Sequence, residues 1–124
     1  MPAAEFHHRQ HVQLAWLYLR KYPVTTALDR FVTGLKRFAT ANGAAGKYHE
    51  TITWAYLLLI HERMQRGGPE LDWPAFALEN EDLLRSEEPV LRRYYHAETL
   101  ASPLARSVFV LPDRALAAVA SGDL

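Results

Sequence analysis

The chain of 124 residues has no cysteine, no excess of charge of either sign and no long apolar run. The absence of cysteine excludes disulfides, thiolate metal sites and a cysteine nucleophile, and it fits a reducing cytoplasm. Basic and acidic residues number 14 each, so the excess of positive charge that neutralises nucleic-acid phosphates is missing. No apolar run reaches the roughly 18–20 residues that a membrane span needs, and the first residues lack the apolar core of a signal peptide. We therefore expect a cytoplasmic protein that binds neither nucleic acid nor membrane.

The composition and the apolar pattern predict one all-α domain. Apolar residues make up 49% and charged residues 23% of the chain, which is an ordinary globular balance in a length that fits a single domain, residues 1–124. Three long segments repeat apolar residues with helical spacing; they cover residues 6–21, 25–42 and 47–65, and a threonine can cap the start of the second. Prolines and glycines separate shorter helical segments after them, one of which covers residues 90–100. We predict a bundle of three longer helices with two or three shorter helices packed across it.

Histidines interrupt the apolar faces of two of these helices. His7, His8 and His11 lie within the first helix, where about 100° of rotation per residue places His8 and His11 on the apolar side and His7 near its edge. In the third helix, His49 falls at the centre of the apolar face and Glu50 toward its flank. The second helix carries no polar residue in the middle of its apolar face, so such histidines are not a general feature of this chain.

One interpretation is a metal site between the first and third helices. Histidines three or four positions apart share a helix face and can bind one metal, and a metal would satisfy imidazole nitrogens that are costly to bury alone. The predicted ligands are His8, His11 and His49, with His7 or Glu50 as the fourth. Zinc, iron, nickel or manganese suits this set, and an activated water would then act on a small molecule. The side chains predicted to line this pocket are Ala15, Tyr18, Thr53 and Tyr56.

Other roles for the same residues stay open. The histidines are also explained as exposed first-turn residues or as hydrogen-bonding core residues. Without a metal, His49 would act as a general base, with Glu50 orienting a histidine of the first helix; Glu50 is equally explained as a first-turn acid that complements the helix dipole.

The aromatic and charged side chains leave further alternatives. The aromatic faces of the first and third helices would suit a non-enzymatic module that binds an apolar ligand or a protein partner, for example a second copy of the chain. A pair of arginines, Arg92 and Arg93, together with Arg106, either meets an anionic substrate or is solvated surface. The acidic run at residues 79–82 is interpreted as solvated surface.

Three segments carry a resemblance to known proteins. His7-His8-Arg9-Gln10-His11 followed by Leu14-Ala15-Trp16-Leu17-Tyr18-Leu19, then Lys47-Tyr48-His49-Glu50-Thr51, then Phe109-Val110-Leu111-Pro112-Asp113 resemble a group of small bacterial all-helical proteins without assigned activity. This resemblance implies a fold and no function. A looser likeness is to the DinB-like helical bundles, which hold a metal with three histidines from different helices; here a close group of histidines comes first and a lone histidine second.

Overall fold

Three long helices and several short ones make up the described part of the chain. The computed structural model describes residues 3–114, with side chains from His7 onward. The α-helices are α1 (Ala3–Lys21), α2 (Val24–Ala41), α3 (Glu50–Gly67), α4 (Trp73–Glu79), α5 (Ala97–Leu100) and α6 (Pro103–Ser107). Turns of 3₁₀ helix lie at Ala45–Lys47, Glu81–Leu84 and Val90–Arg93. Within residues 3–114 there is no strand, so the prediction of an all-α bundle of three longer helices is confirmed.

The core lies where α1, α2 and α3 pack against each other. Large buried side chains come from all three helices and from the chain after α3. They include Trp16, Phe31, Leu57, Ile60, Phe76, Leu83 and Tyr95. A fully buried side chain of this kind contributes about 1.5–3 kcal/mol, so the apolar stripes account for the packing of the long helices. No described helix is long and apolar enough to cross a membrane.

The start of α3 differs from the prediction. Tyr48 and His49 are in extended conformations, and the helix begins only at Glu50. His49 is therefore the N-cap residue, and its predicted place at the centre of a helical apolar face is wrong. Helical periodicity places a side chain only where the backbone is helical, and a cap residue has non-helical dihedral angles.

Two other boundaries also differ. The predicted threonine cap of α2 is wrong, because Pro23 holds the N-cap position and makes no side-chain cap hydrogen bond. A continuous helix predicted over residues 90–100 is divided into a 3₁₀ turn and α5. Between the two, the backbone N–H of His96 donates to the Asp113 carboxylate at 3.0 Å, a contact that holds the backbone outside helical geometry.

The chain after α6 runs in an extended conformation along α3. The buried hydroxyl of Thr51 donates to the Val108 carbonyl at 2.8 Å and accepts from the Val110 N–H at 3.0 Å. The Trp54 ring stacks on Phe109 with 5.0 Å between ring centroids. The Thr51 hydroxyl thus makes the two backbone hydrogen bonds that a neighbouring strand would otherwise make with this segment.

Candidate functional site

Three adjoining cavities surround Ile52 on α3, and all three are lined by histidines of the predicted site. His11 and His49 line a cavity of about 350 Å³ that extends toward the end of α2. His8 and His11 line one of about 90 Å³ between α1 and α3. His8 and His49 line one of about 410 Å³ that extends toward α5 and α6. Since Ile52 lines every one of them, we call the three together the Ile52 cleft. The structure therefore brings His8, His11 and His49 to one cleft.

Both ring nitrogens of His49 have partners in the protein. Its Nδ1 accepts from the Ile52 N–H at 3.1 Å, and its Nε2 lies 2.6 Å from the Leu100 carbonyl oxygen. A backbone N–H can only donate and a carbonyl can only accept, so the ring is neutral with its proton on Nε2. In this arrangement His49 has no lone pair left for a metal or for a substrate proton.

His8 is half-buried and also contacts distant backbone. Its Nε2 lies 2.8 Å from the Leu83 carbonyl oxygen, which requires a proton on that nitrogen. The ring meets Tyr56 edge-on, with 4.9 Å between centroids. Burial, and secondly the charge of Asp82, raises the pKa of Tyr56 to about 12, so this phenol keeps its proton and stays a hydrogen-bond donor near the cleft.

His11 and His7 lie nearer to solvent. His11 is exposed at the rim of the cleft, yet its pKa lies below the usual value, because of partial desolvation and then the nearby charges of His8 and His7. The side chain of His7 is exposed, and it lines none of the three cavities around Ile52. Of the histidines on α1, His8 and His11 are thus the two that face the cleft.

Glu50 contacts residues other than the histidines. Its Oε1 accepts from the Tyr48 hydroxyl at 2.6 Å and lies 3.7 Å from Lys36 Nζ. Burial, and secondly this hydrogen bond, raises the pKa of the Tyr48 phenol. Glu50 also stands in the first turn of α3, where a carboxylate complements the helix dipole. Of the roles predicted for Glu50, the geometry agrees with the first-turn acid.

The predicted pocket residues divide between cleft and core. Ala15, Thr53 and Tyr56 line the cavity of about 90 Å³ between α1 and α3. Tyr18 instead packs edge-on against Phe31, with 6.2 Å between centroids.

A three-ligand metal site does not emerge from this geometry. The described side chains contain no group of three or more histidine, aspartate or glutamate residues positioned to hold one ion. His49 does not fit the ligand role, because both of its nitrogens are hydrogen-bonded within the protein. Metal binding by this chain stays a prediction.

Two arginines line the cleft without a clear signal in the sequence. Arg92 and Arg106 belong to the wall of the cavity of about 410 Å³. They come from two short elements that helical periodicity does not relate to each other. Whether these arginines meet an anion or are solvated depends on where the 3₁₀ turn and α6 dock on α3. The sequence pattern does not contain that information.

The acidic run at residues 79–82 is interpreted from the sequence as solvated surface, but two of its residues form hydrogen bonds within the protein. Asn80 is buried, and its side-chain oxygen accepts from Arg63 at 2.9 Å. Both carboxylate oxygens of Asp82 accept from the same guanidinium, at 3.0 and 2.8 Å, and Arg93 lies 3.2 Å away. Arg63 is remote in sequence, so no local pattern marks this cluster.

The chain was compared with protein-family models, curated proteins and solved structures, and none of them matches it.

Proposed function

We propose that this protein binds a small molecule with an apolar body in the Ile52 cleft, between α1, α3 and the short helices. The observation that carries the proposal is the convergence of three cavities on Ile52, with His8, His11 and His49 each lining two of them. Binding sites for small molecules are typically concave and mostly apolar, with few polar groups that orient the ligand. The Ile52 cleft has these features.

The size of the cleft and the hydrogen bonds of its histidines support ligand binding rather than proton transfer. The two larger cavities, of about 350 and 410 Å³, fall in the usual range for ligand pockets, roughly 300–1,000 Å³. His49 is held as a neutral hydrogen-bonding residue, so the general-base role has no proton acceptor there. His8 and His49, whose Nε2 atoms bond to backbone carbonyls, are fixed parts of the cleft wall.

A neutral fluorescent probe, N-phenyl-1-naphthylamine, tests the proposal. We expect its emission to rise on titration into the wild-type protein. Ile52→Trp places a larger side chain at the position that all three cavities share, and it should abolish the rise in emission. Leu78→Trp adds a similar side chain at a position that is 75% exposed on α4 and should leave it unchanged. Equal responses from Ile52→Trp and wild type, with both variants folded by circular dichroism, would refute the proposal.

Metal binding by α1 is the second candidate. His8 and His11 stand three positions apart and line the same cavity, and the lowered pKa of His11 favours the neutral form that metals require. Elemental analysis of protein purified with added zinc, iron, nickel or manganese tests it. The candidate requires metal that is lost in His11→Ala and retained in His49→Ala. Protein without metal after supplementation would exclude it.

Self-association also stays a prediction. Leu14 and Leu17 on α1 are 38% and 48% exposed. If the chain forms a homodimer, its melting temperature should rise with protein concentration. A melting temperature independent of concentration would count against the dimer.

A further inference from the structure

We infer that the ligand of the Ile52 cleft is a small organic anion, whose acidic group is bound by Arg92 and Arg106. This inference rests on the proposed function and adds the chemical class of the ligand. It concerns the cavity of about 410 Å³, which is the part of the cleft between α3, the 3₁₀ turn at Val90–Arg93 and α6.

The described wall of this cavity contains basic side chains and no acidic ones. Two arginines and two histidines line it, and among residues 7–114 no aspartate or glutamate does. The whole chain has equal numbers of acidic and basic residues, so composition does not explain the excess. A concave surface lined by one sign of charge concentrates ions of the other sign. The cavity is therefore suited to an anion.

Within residues 7–114, no carboxylate forms an ion pair with either of these two arginines. Arg63, Arg66 and Arg93 each form an ion pair with an acidic side chain. Among residues 7–114, Arg92 and Arg106 form none. A guanidinium presents paired N–H groups that match a carboxylate or a phosphate, and these two remain able to make that contact.

Backbone contacts hold both arginines at the cavity wall. Arg106 Nη2 donates to the Gly46 carbonyl at 2.6 Å, which fixes its guanidinium across the loop before α3. The Arg92 carbonyl accepts from Arg114 Nη1 at 2.6 Å, which anchors the backbone that carries the Arg92 side chain. The half-buried Ser86 adds a hydroxyl to the same wall.

Much of the remaining wall is apolar. Ile52, Leu91 and Leu100 line this cavity, and Ile52 also lines the other two. An inorganic anion would leave that surface without contact. An anion with an apolar chain would use both the arginines and the apolar walls, and this combination defines the ligand class.

Three probes with the same eight-carbon chain test the inference: octanoate, octan-1-ol and octylammonium. Their binding to the full-length protein is measured by isothermal titration calorimetry at neutral pH. We expect octanoate to bind about tenfold more tightly than octan-1-ol, the usual effect of one charge-assisted hydrogen bond, and octylammonium to bind most weakly. Added salt should weaken octanoate binding and leave octan-1-ol binding unchanged.

Charge variants then locate the contact. Arg92→Gln and Arg106→Gln should each bring octanoate affinity toward that of octan-1-ol. Arg93→Gln is the matched control, because it removes the same charge from the same turn outside the cavity wall. If Arg106→Gln disturbs folding through its contact with Gly46, Arg92→Gln carries the test alone.

The outcomes separate the two proposals. Equal binding of octanoate and octan-1-ol, both lost in Ile52→Trp, would overturn the inference of an anion and leave the proposed cleft standing. Binding of none of the three probes, together with a failed naphthylamine titration, would overturn both. An octanoate preference that Arg93→Gln weakens as much as Arg92→Gln does would also overturn the inference, because it would show a general surface attraction.

Discussion

The two halves of the molecule are held together in different ways. Residues 3–67 form the three long helices, whose apolar stripes pack against each other. Residues 68–114 form short helices and turns whose buried apolar residues join the same core, and polar side chains of α1 and of the start of α3 also bond to their backbone. Leu83 contacts His8, Leu100 contacts His49, and the segment at residues 108–110 contacts Thr51.

The difference explains why polar residues interrupt two apolar faces. Irregular backbone that is removed from water needs hydrogen-bond partners from elsewhere. In this chain α1 and α3 supply them, whereas α2, which has a clean apolar face, lies away from the short segments and is contacted mainly by the long helices and one 3₁₀ turn. The polar residues that suggested a catalytic site therefore also hold the backbone of residues 68–114 by hydrogen bonds. The following substitutions test how much these bonds contribute to stability.

Thr51→Val should have the largest effect, a loss of about 2–3 kcal/mol in the free energy of unfolding. The change keeps the volume of a fully buried side chain and leaves the Val108 carbonyl and the Val110 N–H without their partner, at about 1–3 kcal/mol for each unsatisfied group. Urea unfolding measures it. Thr33→Val, at an exposed position on α2, is the control. A loss for Thr51→Val no larger than that of the control would show that the hydrogen bonds of Thr51 do not stabilise the fold.

His49→Ala should cost about 2 kcal/mol, from an N-cap worth about 1 kcal/mol and a hydrogen bond of similar size. His49→Asn should recover the cap portion only, because the shorter side chain reaches the Ile52 N–H but not the Leu100 carbonyl. Urea unfolding and hydrogen exchange at Ile52 separate the two parts. His96→Ala is a matched control, since His96 stands at the N-cap of α5 without a side-chain cap bond. Equal stabilities of His49→Ala and His49→Asn would argue against the cap.

Asp82→Asn should lower the stability at neutral pH by about 1–2 kcal/mol, because it removes a charge-assisted hydrogen bond that joins the two halves. The hydrogen bonds from Arg63, and secondly its charge, hold the pKa of Asp82 below the usual value. The folded state therefore keeps the carboxylate ionised to lower pH than the unfolded state, so this contribution is present above the unfolded pKa and is lost on acidification.

Unfolding free energies measured from pH 7 to pH 3 should consequently fall less steeply for Asp82→Asn than for wild type. Asp29→Asn, at an exposed position on α2, should keep the wild-type slope. If Asp82→Asn keeps that slope as well, the ion pair does not stabilise the fold.

His11→Gln should have the smallest effect, because the side chain is exposed. The pKa of His11 is lowered in the folded state, so the unfolded chain takes up a proton first, and stability falls as the pH drops from the unfolded pKa to the folded one. Replacing His11 should remove a small part of this loss, seen as a shallower decline of the melting temperature between pH 7 and pH 5. His96→Gln, at an exposed position outside the cleft, is the control. Parallel curves for wild type and His11→Gln would show that His11 is not desolvated.

The sequence by itself determined the fold class and the lengths of the long helices. Apolar residues at helical spacing, together with breakers such as Pro23 and Gly68, act within a few residues along the chain. For this reason the prediction of three longer helices is confirmed, with errors confined to boundaries such as the start of α3. The same local information also brought His8 and His11 to one face of α1, where both line the cleft.

Only the tertiary structure decided what these side chains contact. The partners of His8 and His49 lie 75 and 51 positions away along the chain, on carbonyls of irregular backbone that no periodic pattern marks. Arg92 and Arg106 likewise reach one cavity through the docking of two short elements. A hydrogen bond or a cavity wall depends on the three-dimensional placement of segments that are remote in sequence, whereas a helix depends on neighbours within four residues.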